Sequence, residues 1–180
     1  MLPVELFSSA ERLRLIEKLF YVHLGELRVR AIARLVKVSP ALVSDTIEIL
    51  RRHSLLKDGK VDFLHPSVRA LKIMLNAEKL ESIKIAQKAG ALFKGCAGIG
   101  LYGSWANGTN TNESDLDLWI KTEDEGEEKI TKIRRFLREK LGLEVNVILL
   151  TKKRLRELKE KDFVFYCMLY NSFLLWGEGL

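Results

Sequence analysis

Two aspartates separated by a single residue have the spacing of a metal-binding pair. Asp115 and Asp117 alternate with leucines over residues 114–119, as in a strand with one buried face. Residues i and i+2 of a strand lie on the same side of a sheet, so both carboxylates are expected on one face. Like charges this close repel, and a divalent cation such as Mg²⁺ or Mn²⁺ is the usual reason for keeping them together. The pair therefore predicts a metal site.

A glycine–serine pair upstream of the aspartates has the chemistry of a phosphate cradle. Gly103 follows a short apolar segment and lets the backbone approach a phosphate closely, while Ser104 adds a hydroxyl and a backbone N–H. A phosphate cradle beside a pair of metal ligands is the minimum set for nucleotidyl transfer, in which two metals clamp the attacking and leaving oxygens. We therefore expect Gly103 and Ser104 to hold a nucleoside triphosphate.

The order Gly103-Ser104, a loop and then residues 114–118 resembles the signature of the DNA polymerase β nucleotidyltransferase superfamily, and is most similar to the minimal nucleotidyltransferases. The resemblance implies a mixed β-sheet with flanking helices, nucleotide contacts that include Ser114, and transfer of a nucleoside monophosphate to an acceptor hydroxyl. The alternative interpretation of the same residues is a polar hairpin loop with two solvated aspartates.

Two positions depart from the family pattern. Family members place a basic residue three positions after the serine, where this chain has Asn107, and a third carboxylate on a later strand, where it has Asn146. An amide can coordinate a metal weakly through its carbonyl oxygen, but it cannot act as a general base. Glu144 is expected on the same strand face as Asn146 and is the alternative third acid.

The first third of the chain resembles a winged helix-turn-helix domain of transcription regulators. Apolar residues at helical spacing predict one helix to about Val22 and a second over residues 27–36, with a break at Gly25. Ser39 followed by Pro40 predicts the start of a third helix, which runs to residue 53. A turn and a strand over residues 57–64 would form the wing.

The third predicted helix carries the candidate DNA contacts. Ser44 can meet a base edge, and Arg51 and Arg52 suit phosphate contacts, whereas Asp45 and Glu48 on the same face oppose them. Residues 1–95 carry 17 lysines and arginines against 10 aspartates and glutamates, so they hold the whole excess behind the net charge of +6. This charge fits a polyanion partner or the ion-pair-rich surface of a heat-adapted protein. A winged helix used for dimerisation or for contact with the neighbouring domain is the structural alternative.

The remaining pattern predicts the elements around the aspartates. In chain order these are a helical stretch over 67–93 with a break near Asn76, a helix over 127–141, a strand over 144–150, a basic helix capped by Thr151, an aromatic stretch over 163–173 that packs on the sheet, and a closing strand over 174–179.

Together these patterns predict an α+β protein with a winged helix-turn-helix domain at 1–75, a helical linker at 76–89 and a nucleotidyltransferase domain at 90–180. The expected function is Mg²⁺-dependent nucleotidyl transfer coupled to DNA binding. The alternative is a DNA-binding regulator whose second domain senses a nucleotide or, like an antitoxin, binds a protein partner; a protein acceptor is a third hypothesis.

No stretch of about 18 apolar residues and no secretory signal pattern is present. With two isolated cysteines, a cytoplasmic protein is expected, and a homodimer is an expectation carried over from winged-helix proteins.

Overall fold

The computed structural model describes residues 5–21, 28–124 and 126–180. Its internal contacts divide the chain into two compact units, Met1–Lys72 and Ile73–Leu180. The predicted helix end at Val22, the break at Gly25 and the start of the second helix at 27 lie outside the described residues.

In its described part, the first unit has helices followed by a short hairpin. The elements are α1 (Ala10–Tyr21), α2 (Val29–Val36), α3 (Pro40–Arg52), β1 (Leu56–Lys57), β2 (Lys60–Val61) and the beginning of α4 (Pro66–Ser82). A three-residue turn joins α2 to α3: Lys37 adopts a left-handed conformation (φ 59°), and the Ser39 side chain accepts a hydrogen bond from the N–H of Leu42 at 3.1 Å. The predicted N-cap at Ser39 is thus present, and it fixes where α3 begins.

A lysine is buried in the first unit. Lys72 has no exposed surface, and its ammonium group lies 5.7 Å from the ring centre of Tyr21 and 5.1 Å from that of Phe63. Aromatic faces attract a cation and offset part of the loss of hydration. Burial nevertheless lowers the pKa of Lys72 to about 8.

The second unit is a four-stranded mixed sheet with helices. It contains the rest of α4, α5 (Ile85–Leu92), β3 (Gly98–Leu101), α6 (Gly103–Asn107), β4 (Leu116–Lys121), α7 (Glu127–Leu141), β5 (Val145–Leu150), α8 (Lys152–Lys161), α9 (Phe163–Tyr170) and β6 (Phe173–Gly177). The strand order is β5-β4-β3-β6, with β4 and β5 parallel and the other pairs antiparallel. Among the described residues, no helix is both long and apolar enough to cross a membrane.

The two faces of this sheet pack against different helices. Leu116 and Leu118 of β4 are fully buried in a cluster with side chains of α5 and α7. Trp119 belongs to a second cluster with side chains of α8 and α9. Because side chains alternate along a strand, Asp117 lies on the same face as Trp119. The Trp119 ring covers Gly100 of β3 so closely that a Cβ there would overlap it.

The break in the predicted helical stretch over 67–93 lies further along the chain than the sequence indicated. The stretch does form two helices, but the predicted position of the break near Asn76 was wrong: α4 continues to Ser82, and Lys84, with φ 56°, separates it from α5. The Asn76 side chain is fully buried and donates a hydrogen bond to the Trp105 carbonyl at 2.7 Å. Its amide is therefore engaged with another segment and does not compete for the helix backbone.

The strand β6 forms one edge of the sheet. It pairs with β3, and a register shift interrupts the pairing between Ile99 and Gly100. Leu174 and Trp176 remain 42% and 46% exposed along this edge. The closing strand predicted over 174–179 is therefore present, shifted by one or two residues.

We predict that the buried lysine makes stability depend on pH between about 8 and 10. In this range an unfolded lysine still holds its proton, since its ordinary pKa is about 10.4, whereas folded Lys72 has released it. The unfolded state binds more protons, so the free energy of unfolding should rise with pH, by up to about 3 kcal/mol. Denaturant titrations at several pH values measure this rise.

The control for this prediction is Lys72→Met, which keeps the length of the side chain and removes its titration. The difference in unfolding free energy between parent and variant should shift with pH over this range. A difference that does not change with pH would contradict the prediction.

Candidate functional site

Gly103 stands directly against a carboxylate of β4. It has φ 67°, a conformation that other L residues rarely adopt, and a Cβ at this position would overlap the Oδ2 atom of Asp117. The preceding residue, Tyr102, donates its backbone N–H to the carbonyl of Asp117 at 3.1 Å. The end of β3 is thereby fixed beside Asp117, and Gly103 is the first residue of the short helix α6.

Ser104 presents an available hydroxyl next to this glycine. It is partly exposed, and within the described part of the chain its Oγ makes no hydrogen bond. Its carbonyl is engaged, because it accepts the N–H groups of Gly108 and Thr109 and so closes α6. The backbone of Ser104 is held in place while its side chain remains accessible to a ligand.

The two aspartates differ in their surroundings. Asp115 is exposed and immediately precedes β4, which begins at Leu116, whereas Asp117 is partly buried within the strand. Burial raises the pKa of Asp117; a hydrogen bond from Asn146 lowers it, and the charge of Asp115 raises it again. The carboxylates are therefore close enough to repel, as their spacing predicted.

Asn146 of β5 lies beside Asp117 and extends the polar part of the site onto a second strand. It is the direct neighbour of Asp117 in the parallel pairing of β4 with β5, and its Nδ2 donates to Asp117 Oδ1 at 3.0 Å. An ionised carboxylate only accepts hydrogen bonds, so the amide must direct its nitrogen toward Asp117. The carbonyl oxygen of Asn146 is left to face another group.

Two other predicted site residues have structural partners. Glu144, just before β5, forms an ion pair with Arg138 of α7, and its backbone carbonyl accepts the N–H of Leu116 at 2.9 Å. Ser114 accepts a hydrogen bond from the N–H of Thr111 at 2.9 Å and closes a turn ahead of β4. The structure thus brings Gly103, Ser104, Asp115, Asp117 and Asn146 together, and ties Glu144 and Ser114 to neighbouring segments.

A buried asparagine pair that the sequence analysis did not identify supports this site. Asn76 and Asn110 are fully buried and hydrogen-bond to each other, at 3.0 Å and 3.2 Å. Asn76 also holds the carbonyl of Trp105, the central residue of α6. The pair therefore holds the segment that begins at Gly103 at two points, Trp105 and Asn110. The available signal was an asparagine next to the apolar residues Met74 and Leu75 within a helical pattern.

Tyr102 is a second residue that sequence reasoning missed. Its side chain is 8% exposed, and burial together with the nearby charge of Asp117 raises its pKa to about 12. Its ring packs edge-on against Phe165 of α9, with 6.0 Å between the ring centres. The hydroxyl stays protonated at neutral pH and lies within electrostatic reach of the carboxylate.

The candidate DNA contacts lie together on α3 of the first unit. Ser44 is exposed, as are Arg51 and Arg52, seven and eight residues further along, so all three lie on one side of the helix. The acidic residues expected to oppose DNA are paired: Glu48 with Arg51, and Asp45 with Arg12 of α1. Arg12 therefore offsets the charge of Asp45, whereas the Glu48–Arg51 pair lies within α3 and engages one of the candidate phosphate contacts.

The donor set of the second unit fits a divalent cation. Hard cations prefer oxygen ligands, and the site offers two carboxylates, an amide carbonyl and a hydroxyl. Neither Asp115 nor Asp117 forms an ion pair with a described residue, so their charge is not neutralised by the protein. Among the described residues, no three histidines, cysteines, aspartates or glutamates form a metal-binding cluster. The carboxylate pair with Asn146 is therefore the set available for a cation here.

A scan against models of protein families matches the nucleotidyltransferase domain over residues 82–171, half of the chain. The match contains the glycine–serine pair, both aspartates and Asn146. It confirms the nucleotidyltransferase part of the resemblance and the α+β class; the winged helix stays a prediction. A comparison with curated proteins gave no match.

We predict that Asp117→Asn stabilises the ligand-free protein at neutral pH. Because the folded pKa of Asp117 is raised, the parent is more stable where this group is protonated and loses stability as pH rises through that pKa. The amide keeps an acceptor for Asn146 and carries no charge. The variant should therefore have the higher Tm at pH 7. The difference in Tm between variant and parent should vanish as pH falls below the ordinary pKa range of an aspartate.

Thermal unfolding followed by circular dichroism, with a metal chelator present, measures this effect. Glu113→Gln is the matched control, because it removes one exposed carboxylate near the same strand and should leave the Tm unchanged. A lower Tm for Asp117→Asn at pH 7 would mean that Asp117 is not under electrostatic strain.

Proposed function

The chain belongs to the nucleotidyltransferase domain family, and we propose that it transfers a nucleoside monophosphate from a nucleoside triphosphate to an acceptor hydroxyl, in a reaction dependent on Mg²⁺ or Mn²⁺. The observation that carries the proposal is the contact of Gly103 with Asp117, where a Cβ would overlap the carboxylate. It puts the candidate phosphate cradle and the candidate metal ligand side by side. A solvated hairpin loop would not need this approach.

Each residue of the site has a distinct role in this proposal. Gly103 and Ser104 hold the triphosphate through backbone N–H groups and the free hydroxyl, with Ser114 supporting the loop. Asp115 and Asp117 bind the cation. Asn146 orients Asp117 and offers its carbonyl oxygen as an acceptor for the attacking hydroxyl. When bound, the cation would neutralise charge on the triphosphate and on the departing pyrophosphate.

The proposed reaction makes one bond and breaks one. The acceptor oxygen attacks the α-phosphorus of the triphosphate and forms a new phosphoester bond. The bond between the α-phosphorus and the bridging oxygen breaks, pyrophosphate leaves, and the hydroxyl proton passes to solvent. Asn146 cannot take this proton, since an amide is not a base at neutral pH. The side chains thus position the reactants, and the chemistry relies on electrostatic stabilisation.

Asn146 also favours a second candidate function. With an amide in place of a third carboxylate, the site carries two negative charges, holds a cation less strongly and lacks a base beside the acceptor. Glu144 does not fill the place in this structure, because it pairs with Arg138. The second candidate is therefore a regulator whose second unit binds a nucleotide, or a protein partner, without rapid turnover.

The first unit is proposed to bind DNA as a winged helix-turn-helix. Support comes from the three-residue turn between α2 and α3 and from Arg51 and Arg52, which are exposed on one side of α3. A cytoplasmic location belongs to the same proposal, because the two cysteines of the chain, Cys96 and Cys167, are free thiols, as is usual in a reducing compartment.

The enzyme proposal predicts Mg²⁺-dependent incorporation of label from an α-phosphate-labelled nucleoside triphosphate. Asp115→Asn combined with Asp117→Asn should reduce incorporation at least about a hundredfold, because electrostatic stabilisation at the reacting phosphate is lost. Glu113→Gln, which removes an exposed carboxylate close to the same strand, is the control and should leave incorporation unchanged. Asn146→Asp should raise incorporation and tighten Mg²⁺ binding, since it restores a third carboxylate.

Two outcomes separate the candidates. Incorporation unaffected by the double substitution would remove these aspartates from the reaction. Calorimetric binding of a triphosphate with Mg²⁺, without incorporation by the parent but with incorporation by Asn146→Asp, would support the nucleotide-binding regulator.

The DNA-binding proposal predicts steep salt dependence for a duplex probe. Arg51→Ala combined with Arg52→Ala should flatten the slope of log K against log salt by about 1.8, as each phosphate contact on duplex DNA contributes about 0.9. Lys18→Ala, an exposed lysine of α1, is the control and should leave the slope unchanged. Absent binding, or binding independent of salt, would contradict a DNA-binding role.

A further inference from the structure

The helix α9 leaves several of its apolar side chains exposed. Its eight residues include no charged side chain. Leu169 is fully buried against the sheet and Phe165 packs beside it, as the sequence predicted for the aromatic stretch. Phe163 and Tyr170, however, are 59% and 62% exposed. A helix that is apolar on all sides is normally covered, so its outer face needs a ligand or partner.

The outer face of α9 is a row of nearly parallel aromatic rings. The ring centres of Phe163 and Tyr166 are 6.2 Å apart with an interplanar angle of 19°, and those of Tyr166 and Tyr170 are 6.3 Å apart at 29°. These residues are spaced i, i+3 and i+7, so they form one stripe along the helix. Rings presented in this way are platforms on which flat molecules can stack.

A basic helix adjoins this row. The helix α8 carries six lysines and arginines against two glutamates. Lys159 lies over the Tyr166 ring, with its ammonium 6.0 Å from the ring centre, and Arg156 is one turn before it; both are exposed. Arg156, Lys159, Phe163, Tyr166 and Tyr170 are called the aromatic–basic surface below.

The helices that carry the aromatic–basic surface pack on the same sheet face as the candidate catalytic site. The helices α8 and α9 pack on the sheet face that carries Trp119, and Asp117 lies on that same face. Phe165 of α9 packs against Tyr102, the residue that precedes Gly103. At the other end of α9, Ser172 accepts a hydrogen bond from the Trp119 indole at 2.7 Å. The helix α9 is thus tied to the end of β3 and to β4, two of the three strands that position the site.

We propose that the aromatic–basic surface binds single-stranded nucleic acid and that the acceptor hydroxyl of the proposed transfer belongs to that strand. Unpaired bases stack on exposed aromatic rings while cationic side chains contact the phosphates, and the surface presents both. A duplex has its base faces covered by neighbouring bases and would leave the rings unused. The acceptor assignment rests on the proposed function, whereas the binding itself does not.

The first experiment measures anisotropy of labelled single-stranded RNA and DNA oligonucleotides of about 20 nucleotides with the full chain, in the absence of Mg²⁺ and triphosphate. Phe163→Leu combined with Tyr170→Leu keeps apolar contacts and removes the stacking faces. It should weaken binding about a hundredfold, or about tenfold per ring. Val164→Ala, on the same helix and 81% exposed, should have no effect.

The second experiment tests the basic residues. Arg156→Gln combined with Lys159→Gln should flatten the slope of log K against log salt by about 1.4, because each phosphate contact of a single strand contributes about 0.7. Arg135→Gln with Lys140→Gln is the matched control: it removes the same two residue types from α7, which packs on the other face of the sheet. Comparison of the affinities for RNA and DNA oligonucleotides identifies which type of strand the surface binds.

Equal affinity of the parent and the leucine variant, or no oligonucleotide binding by the parent, would overturn the proposal. A third outcome would also overturn it: the parent binds no oligonucleotide, and the glutamine variants differ from it in oligomeric mass. That result would assign the surface to a protein contact. Transfer of label to another acceptor, with no oligonucleotide bound, would overturn the acceptor assignment and leave the proposed function intact. Oligonucleotide binding without any label transfer would support the surface and count against the enzyme.

Discussion

The approach of Gly103 to the Asp117 carboxylate is the constraint on which the rest of the second unit depends. Only glycine provides both the positive φ and the missing Cβ that this contact requires. The contact is held from outside: Asn76 fixes the carbonyl of Trp105 in the following helix, and the Trp119 ring covers Gly100 in the preceding strand. Buried hydrogen bonds and close packing thus place the candidate phosphate cradle beside a carboxylate.

Binding capacity and stability oppose each other at this site. Asp117 is partly buried beside a second carboxylate, and burial raises its pKa. Its protein partner is the neutral amide of Asn146, which orients the carboxylate without neutralising it. The free protein therefore carries electrostatic repulsion that a cation would relieve, a common cost of a preorganised site. Compared with a site that has a third carboxylate at position 146, this site has less repulsion between its charges and a weaker attraction for a cation.

Local signals predicted more of this chain than signals that depend on distant partners. The cap at Ser39, the helix over Glu127–Leu141 and the alternation around Asp117 were readable, because each depends on neighbours in the chain. The role of Asn76 was not, since its partners lie about 30 residues away and its sequence context resembles a helix break. Likewise, nothing in the sequence around Glu144 indicated that Arg138 would hold it.

The bare edge of the sheet has a consequence for handling the protein. Phe173–Gly177 contains no lysine, aspartate, glutamate or proline, the residues that usually discourage another strand from adding to an edge. The register shift opposite Ile99 and Gly100 is the irregularity that remains to disfavour such addition. Concentrated solutions and partly unfolded chains thus favour edge-to-edge aggregation through β6, and dilute storage at low ionic strength, where the net charge of +6 is least screened, should keep the chains apart.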